Sequence, residues 1–115
     1  TYFLPRIVGM AKACELIFSG EVIDAKEALE IGMVNKLVSH DQLMEATTEM
    51  AEKFAKNAPI PIGFAKRGLQ NYGKWDLAQA LDYESYVLSI TFNSEDAKEG
   101  FTAFLEKREP DFKGR

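Results

Sequence analysis

The sequence has few of the residues on which most site chemistry depends. It contains one cysteine, Cys14, and one histidine, His40, among 115 residues. A single cysteine excludes an internal disulfide and fits a reducing compartment, so we expect a cytoplasmic protein. A metal centre needs several histidine, cysteine or carboxylate ligands at suitable spacing, and a nucleophile needs a base beside it. The sequence therefore predicts no metal site.

A basic excess, a glycine-rich loop and a long apolar run are also missing. The 14 basic residues are outnumbered by 18 acidic ones, giving a net charge of −4. Because phosphate neutralisation supplies most nucleic-acid affinity, we expect no nucleic-acid partner. The glycines are scattered, so no phosphate-binding loop is predicted and we expect no cofactor. The apolar runs are too short to span a membrane, and residues 1–6 do not resemble a signal peptide.

The isolated reactive side chains favour structural roles. His40 stands beside Asp41 in a predicted helix-start turn, which indicates a solvated loop histidine. Cys14 lies on an apolar helical stripe, so we expect a small core residue. Carboxylate pairs such as Glu95 and Glu99 have the spacing of a solvated helix face. Catalytic carboxylates instead lie in clefts that shift their pKa, so we predict no catalytic residue.

What the sequence does contain is a succession of helical patterns. Apolar residues recur at helical spacing, and glycine or proline separates one pattern from the next. In the helix that begins near Ser39, the predicted buried stripe is Leu43, Ala46, Met50, Phe54 and Ala58. Met33–Val38 is the one weak strand candidate. The predicted fold is all-α with about six helices, near residues 10–18, 25–31, 39–58, 61–72, 76–88 and 94–108.

Polar residues predict where these helices begin, since their side chains accept hydrogen bonds from first-turn N–H groups. The predicted caps are Asp24, Ser39, Asp76 and Ser94. Glu95 and Asp96 follow Ser94 and place negative charge at the positive end of the helix dipole. Pro110 ends the last helix, so we expect the tail 111–115 to be loose.

Several short segments follow one another in a specific order over nearly the whole chain. The N-terminal ones are Leu4-Pro5-Arg6-Ile7-Val8-Gly9, Ala11-Lys12-Ala13, Glu15-Leu16, Ser19-Gly20, Ile23-Asp24-Ala25-Lys26-Glu27-Ala28 and Gly32-Met33-Val34-Asn35. The later ones are Ala65-Lys66-Arg67, Ser94-Glu95-Asp96-Ala97-Lys98-Glu99-Gly100-Phe101, Ala103-Phe104-Leu105-Glu106-Lys107-Arg108 and Phe112-Lys113-Gly114. This order resembles the crotonase (enoyl-CoA hydratase/isomerase) family.

The resemblance implies that residues 1–115 are a single helical domain from the C-terminal part of a larger protein. That family joins an N-terminal spiral of β-β-α units to a C-terminal helical trimerisation region, and only the second part matches. The family's oxyanion-hole and acidic positions precede Thr1, so we expect residues 1–115 alone to be inactive. The sequence begins with Thr1 and not with an initiator methionine, which predicts a processed end or, more plausibly, the start of a fragment.

The resemblance also implies partners: an acyl-CoA thioester substrate and further copies of the chain, as a trimer or a dimer of trimers. The family's Phe–x–x–Lys, which contacts CoA, falls on Phe104 and Lys107. An aromatic ring can pack on adenine and an ammonium can pair with a phosphate. The alternative places Phe104 in the core and leaves Lys107 merely solvated.

Two functions are therefore compatible with the sequence. The first is the oligomerisation and CoA-contacting region of an enzyme that stabilises the enolate of a CoA thioester, an enoyl-CoA hydratase or isomerase. The alternative is a non-catalytic helical self-association module. Hydration, isomerisation, dehalogenation and decarboxylation all stay open, because by resemblance the deciding residues precede Thr1. The predicted helices carry more aromatic side chains than one helical layer can bury, and we expect about half of them outside the core, which supports association. These residues are Phe54, Phe64, Trp75, Tyr83, Tyr86, Phe92, Phe101 and Phe104.

Overall fold

A computed structural model describes residues 1–71 and 73–115, and in these ranges it contains seven α-helices, one 3₁₀ turn and no β-strand. The all-α prediction is confirmed. Contacts divide the chain into two compact units, residues 1–46 and 47–115. The helices are α1 Leu4–Val8, α2 Met10–Ser19, α3 Ala25–Glu30, α4 Leu43–Ala55, α5 Pro59–Gln70, α6 Leu77–Phe92 and α7 Glu95–Glu106, and the 3₁₀ turn is His40–Gln42.

The first unit contains a helix that the periodicity did not predict. Pro5 lies in the first turn of α1, where its missing N–H costs no hydrogen bond. Gly9, at φ 81°, separates α1 from α2, and α2 begins at Met10, where the apolar pattern predicted it. Gly20 ends α2 as predicted, in a left-handed conformation with its N–H donated to the Leu16 carbonyl.

The strand candidate Met33–Val38 is wrong. The N–H groups of Met33 and Val34 both donate to the carbonyl of Ala28, at 2.9 and 3.3 Å. Gly32 adopts φ 73°, which turns the chain back over the end of α3. Backbone donors that a ladder would need are used in this turn instead, so an apolar run here does not make a strand.

Most of the predicted caps are confirmed. The caps of α3, α6 and α7 accept hydrogen bonds as expected, and the cap of α6 forms a full capping box with Gln79. Ser39 is the exception. Its hydroxyl donates to the side chain of Gln42 at 2.9 Å, because the 3₁₀ turn delays the start of α4 to Leu43. The confirmed caps are Asp24, Asp76 and Ser94.

In the second unit, α5 and α6 are joined through one tyrosine. The Tyr83 hydroxyl donates to the Phe64 carbonyl at 2.8 Å, and its ring packs on Trp75 with 4.8 Å between centroids. A Cβ at Gly68 would lie 3.4 Å from the Tyr83 ring, an ordinary contact distance, so the ring packs directly over this glycine. Helix α5 begins at Pro59, and the predicted end of this helix, at Tyr72, lies outside the described residues.

Few apolar side chains are covered within either unit. Among the described residues, the buried apolar ones are Ala13 and Ala103. The predicted stripe of α4 is largely exposed, with Leu43 at 51% and Phe54 at 59%, and Cys14 is only half-buried. Helix α4 itself is confirmed, but its larger apolar side chains are only partly covered by the described residues. Across the described part of the chain, each helix is too short or too polar to cross a bilayer.

We expect Tyr83→Phe to lower the free energy of unfolding by about 1 kcal/mol, because it removes the hydrogen bond between the Tyr83 hydroxyl and the Phe64 carbonyl. Tyr86→Phe is the matched control, since Tyr86 lies on the same helix with 61% of its surface exposed. Urea unfolding monitored by circular dichroism measures both. Equal stability of the two variants would contradict the assigned role of the Tyr83 hydroxyl.

Candidate functional site

The start of α7 is fixed by a buried serine. The Ser94 hydroxyl accepts the Ala97 N–H at 3.0 Å and donates to the Thr91 carbonyl at 2.7 Å. Both hydrogen-bonding directions of one hydroxyl are thus used, one to end α6 and one to begin α7. The predicted cap Ser94 therefore links the end of α6 to the start of α7, and this link determines where α7 begins.

The residues after α7, 107–115, form a C-terminal segment that is held against the helix by Asp96. The Asp96 carboxylate is 3% exposed and accepts the N–H groups of Lys113 and Gly114, each at 2.7 Å. The Asp96 N–H in turn donates to the Arg115 carbonyl at 3.0 Å. The prediction of a loose tail is therefore wrong, and Asp96 serves as an anchor rather than only as a charge near the helix dipole.

A second carboxylate ties the same segment to the middle of α7. Glu99 forms a two-pronged ion pair with Arg108, at 2.6 and 2.9 Å, and also accepts the Asp111 N–H at 2.9 Å. These donors hold the pKa of Glu99 at about 2, well below its usual range, with the Arg108 hydrogen bonds as the largest cause. Glu99 is not the solvated charge that its spacing from Glu95 predicted.

Two glycines mark where the C-terminal segment packs against the rest of the second unit. The Phe112 ring lies 3.5 Å from the position of a side chain at Gly100, so it packs over the helix backbone. Gly114 adopts φ 77°, and a side chain there would approach Pro59 of α5 to 3.0 Å. The segment therefore runs along α7 and ends against the start of α5.

The turn between α7 and the segment has an unusual backbone. Lys107 adopts φ 54° and ψ 41°, the left-handed conformation in which glycine is the usual residue. Its N–H donates to the Phe104 carbonyl at 3.3 Å, and the Arg108 N–H donates to the Ala103 carbonyl at 3.0 Å. These two bonds are those of a Schellman motif, which closes the helix end.

The two sequence-predicted site residues lie together on this turn. Phe104 exposes 82% of its surface, so the alternative that buried it in the core is wrong. Lys107 is also exposed. An exposed aromatic ring and an exposed ammonium are thus one helical turn apart at the end of α7. Their proposed contact with CoA stays a prediction.

An apolar groove between α5 and α6 was not predicted as a site, although several of its rings were identified as excess aromatic surface. Its volume is about 770 Å³. Beyond it along α6, Phe92 stacks on Phe101 of α7 with 6.3 Å between ring centroids. The side chains that give the groove its apolar character include Phe64, Leu69, Trp75, Val87 and Leu88.

The other candidate reactive residues, His40 and Cys14, belong to the first unit. His40 is exposed in the 3₁₀ turn, as predicted, and Cys14 is half-buried on α2. Within residues 1–71 and 73–115, no three histidine, cysteine or acidic side chains converge as a set of metal ligands.

Comparison with known proteins gives consistent matches along the whole chain. The sequence model of the family described as "Enoyl-CoA hydratase/isomerase" matches residues 1–115. A short-chain-enoyl-CoA hydratase of Clostridium acetobutylicum is 41% identical over 116 aligned positions, which cover 100% of this chain and 44% of that protein. A probable enoyl-CoA hydratase of Bacillus subtilis is 43% identical over 115 positions, covering 99% of this chain and 45% of that protein.

The fold has the same relatives. The crystal structure of an enoyl-CoA hydratase from Bacillus anthracis superposes with a TM-score of 0.93 at 39% identity, covering 99% of this chain and 44% of that one. A structure from Geobacillus kaustophilus gives a TM-score of 0.90, also at 39% identity, and covers 99% of this chain and 43% of that one. The chain thus spans less than half the length of the proteins it is compared with here.

We expect Asp96→Asn to lower the free energy of unfolding by about 2–3 kcal/mol, because a buried carboxylate that accepts two N–H groups is replaced by a neutral amide. Glu95→Gln is the matched control. Glu95 pairs with Arg115 at 2.8 Å, but both side chains are about 70% exposed, so its removal costs at most about 1 kcal/mol. Chemical unfolding measures both free energies. If Glu95→Gln lowers the free energy of unfolding as much as Asp96→Asn does, Asp96 does not anchor the C-terminal segment.

The contacts of Glu99 with Arg108 and with the Asp111 N–H, called here the Glu99 clamp, should make the stability of the protein depend on pH in acid. Because the folded-state pKa of Glu99, about 2, lies below its ordinary value of 4.5, its stabilisation is complete above pH 4.5 and lost as the pH falls toward 2. The stability difference between the wild type and Glu99→Gln should therefore shrink between pH 6 and pH 3. Urea unfolding at both pH values tests this, and a constant difference would contradict the clamp.

Proposed function

The chain belongs to the enoyl-CoA hydratase/isomerase family, and on that premise we propose that it is the CoA-contacting and subunit-contacting helical region of an enzyme acting on a CoA thioester. Such an enzyme stabilises the enolate of the thioester with backbone N–H donors and moves protons with acidic side chains. We assign those steps to parts of the family fold that residues 1–115 do not match. Residues 1–115 then serve binding and assembly as a single helical domain of a cytoplasmic protein.

The observation that carries the CoA assignment is the pairing of Phe104 and Lys107 at the end of α7. The Phe104 ring has 82% of its surface in solvent, so stacking on a flat aromatic partner would remove apolar surface from water and be favourable. Adenine is such a partner. The Lys107 ammonium is a point charge suited to a phosphate. A nucleotide carrying both groups matches this pair better than an apolar protein surface would.

Self-association is supported by the apolar surface that neither unit covers. Phe18 on α2 is 82% exposed, Val22 is 97% exposed and Leu105 on α7 is 79% exposed. Large apolar side chains left this exposed in each unit favour burial against another surface. We propose a trimer or a dimer of trimers. The same surface also favours the second candidate, a non-catalytic self-association module, and CoA binding separates the two.

We expect Phe104→Ala and Lys107→Ala each to weaken CoA binding about tenfold, since each removes one stacking or charge-assisted contact. Isothermal titration calorimetry of the protein as its gene encodes it in full measures the affinity. Phe3→Ala and Lys26→Ala are the controls, because Phe3 is 74% exposed and the Lys26 side chain 79% exposed on other elements.

Unchanged affinity in both Phe104→Ala and Lys107→Ala would remove the CoA assignment. A protein that binds no CoA but remains oligomeric in light scattering would establish the self-association module instead.

A further inference from the structure

We propose that Glu99 and Arg108 are positioning residues, which hold the turn after α7 so that the Lys107 ammonium is presented to a nucleotide phosphate. The inference rests on the proposed function, because it deepens the role of Lys107 in CoA binding. Neither Glu99 nor Arg108 is required to touch the ligand. Their part is to fix the backbone from which Lys107 projects.

The first observation is the conformation of Lys107. Among the described residues, it is the one non-glycine residue with positive φ. Every residue except glycine loses free energy in this conformation, because its Cβ approaches the neighbouring carbonyl oxygen. A positive charge near a helix C-terminus is favourable, but a lysine within the last turn would gain that benefit without the strained backbone. A lysine at this place is therefore unfavourable for the fold alone, and strained residues of this kind concentrate at binding sites.

The second observation is what keeps the strained turn in place. The Arg108 N–H donates to the carbonyl of Ala103, which is 1% exposed and so lies in the buried part of the unit. The Arg108 side chain then returns to α7 and makes two bonds to Glu99. Glu99 also accepts the Asp111 N–H. The backbone is thus fixed both directly after Lys107 and four residues beyond it.

The third observation is the state of the Lys107 side chain itself. Acidic residues lie near the turn at Lys107, but two of them are ion-paired with Arg108. These are Glu99 and Glu106, and the pair with Glu106 is 2.6 Å long. Within the described part of the chain, Lys107 has no carboxylate at ion-pair distance. Arg108 is therefore the cation that engages Glu99 and Glu106, which leaves the ammonium of Lys107 available for an external anion.

The test compares two probes, adenosine 3′,5′-bisphosphate and pantetheine, by calorimetry on the protein as its gene encodes it in full. Glu99→Gln should weaken the nucleotide about fivefold to tenfold and leave pantetheine unchanged, since a lost geometry affects only the phosphate contact. In a Lys107→Ala background, Glu99→Gln should have no further effect on the nucleotide, because coupled residues are not additive. Glu95→Gln, an exposed acidic residue on the same helix, is the control and should change neither probe.

The outcomes separate the two proposals. If Lys107→Ala leaves nucleotide affinity unchanged, Lys107 takes no part in the CoA contact and the positioning role fails; the CoA assignment itself fails only if Phe104→Ala also leaves the affinity unchanged. If Lys107→Ala weakens the nucleotide but Glu99→Gln does not, or if Glu99→Gln weakens both probes equally, only the positioning role is overturned. An equal effect of Glu99→Gln in the wild-type and Lys107→Ala backgrounds overturns it as well.

A second variant keeps the proposal testable even if Glu99→Gln does not fold. Lys107→Gly relieves the strained backbone, so it should raise the midpoint of thermal unfolding by about 2–8 °C. It should also weaken the nucleotide as much as Lys107→Ala does. A lowered or unchanged midpoint would mean that the turn carries no strain, and the argument for a functional lysine at this place would fall.

Discussion

The Asp96 carboxylate, buried on the first turn of α7, organises the whole C-terminal part of the structure. It accepts two backbone N–H groups of the C-terminal segment, and a buried charge is tolerated only where such bonds replace its hydration. Without that anchor, Phe112 would lose its place over Gly100, and Gly114 would have no reason to approach Pro59. Asp96 thus converts nine residues without secondary structure into part of the folded second unit.

This anchoring explains how a helix end can present a binding group. A terminal turn that frays would not keep a strained lysine in one conformation. Here the segment is fixed near its far end by Asp96 and near the turn by Glu99 and Arg108, so the left-handed Lys107 lies between rigid points. Phe104, on the preceding turn, is exposed beside it. The proposed CoA contact depends on this geometry as much as on the two side chains.

The sequence predicted local features well, because those depend on residues three or four positions apart. The caps Asp24 and Asp76 and the stop at Gly20 are of this kind. Periodicity failed where distant partners decide the outcome. Glu99 has the spacing of a solvated carboxylate, but its partner Arg108 is nine positions away beyond a helix end. The stripe of α4 was predicted correctly as apolar, yet a stripe does not encode what covers it. Phe104 and Lys107 came only from the family resemblance.

The most direct test of this account is amide hydrogen exchange measured by NMR at the N–H groups of Lys113 and Gly114. A segment anchored by a buried carboxylate exposes these groups to solvent only when α7 opens, so both should exchange as slowly as the amide of Ala103 within that helix. Exchange at the rate of an unstructured peptide would contradict the anchor. The C-terminal segment would then be held only near the turn, by Glu99 and Arg108.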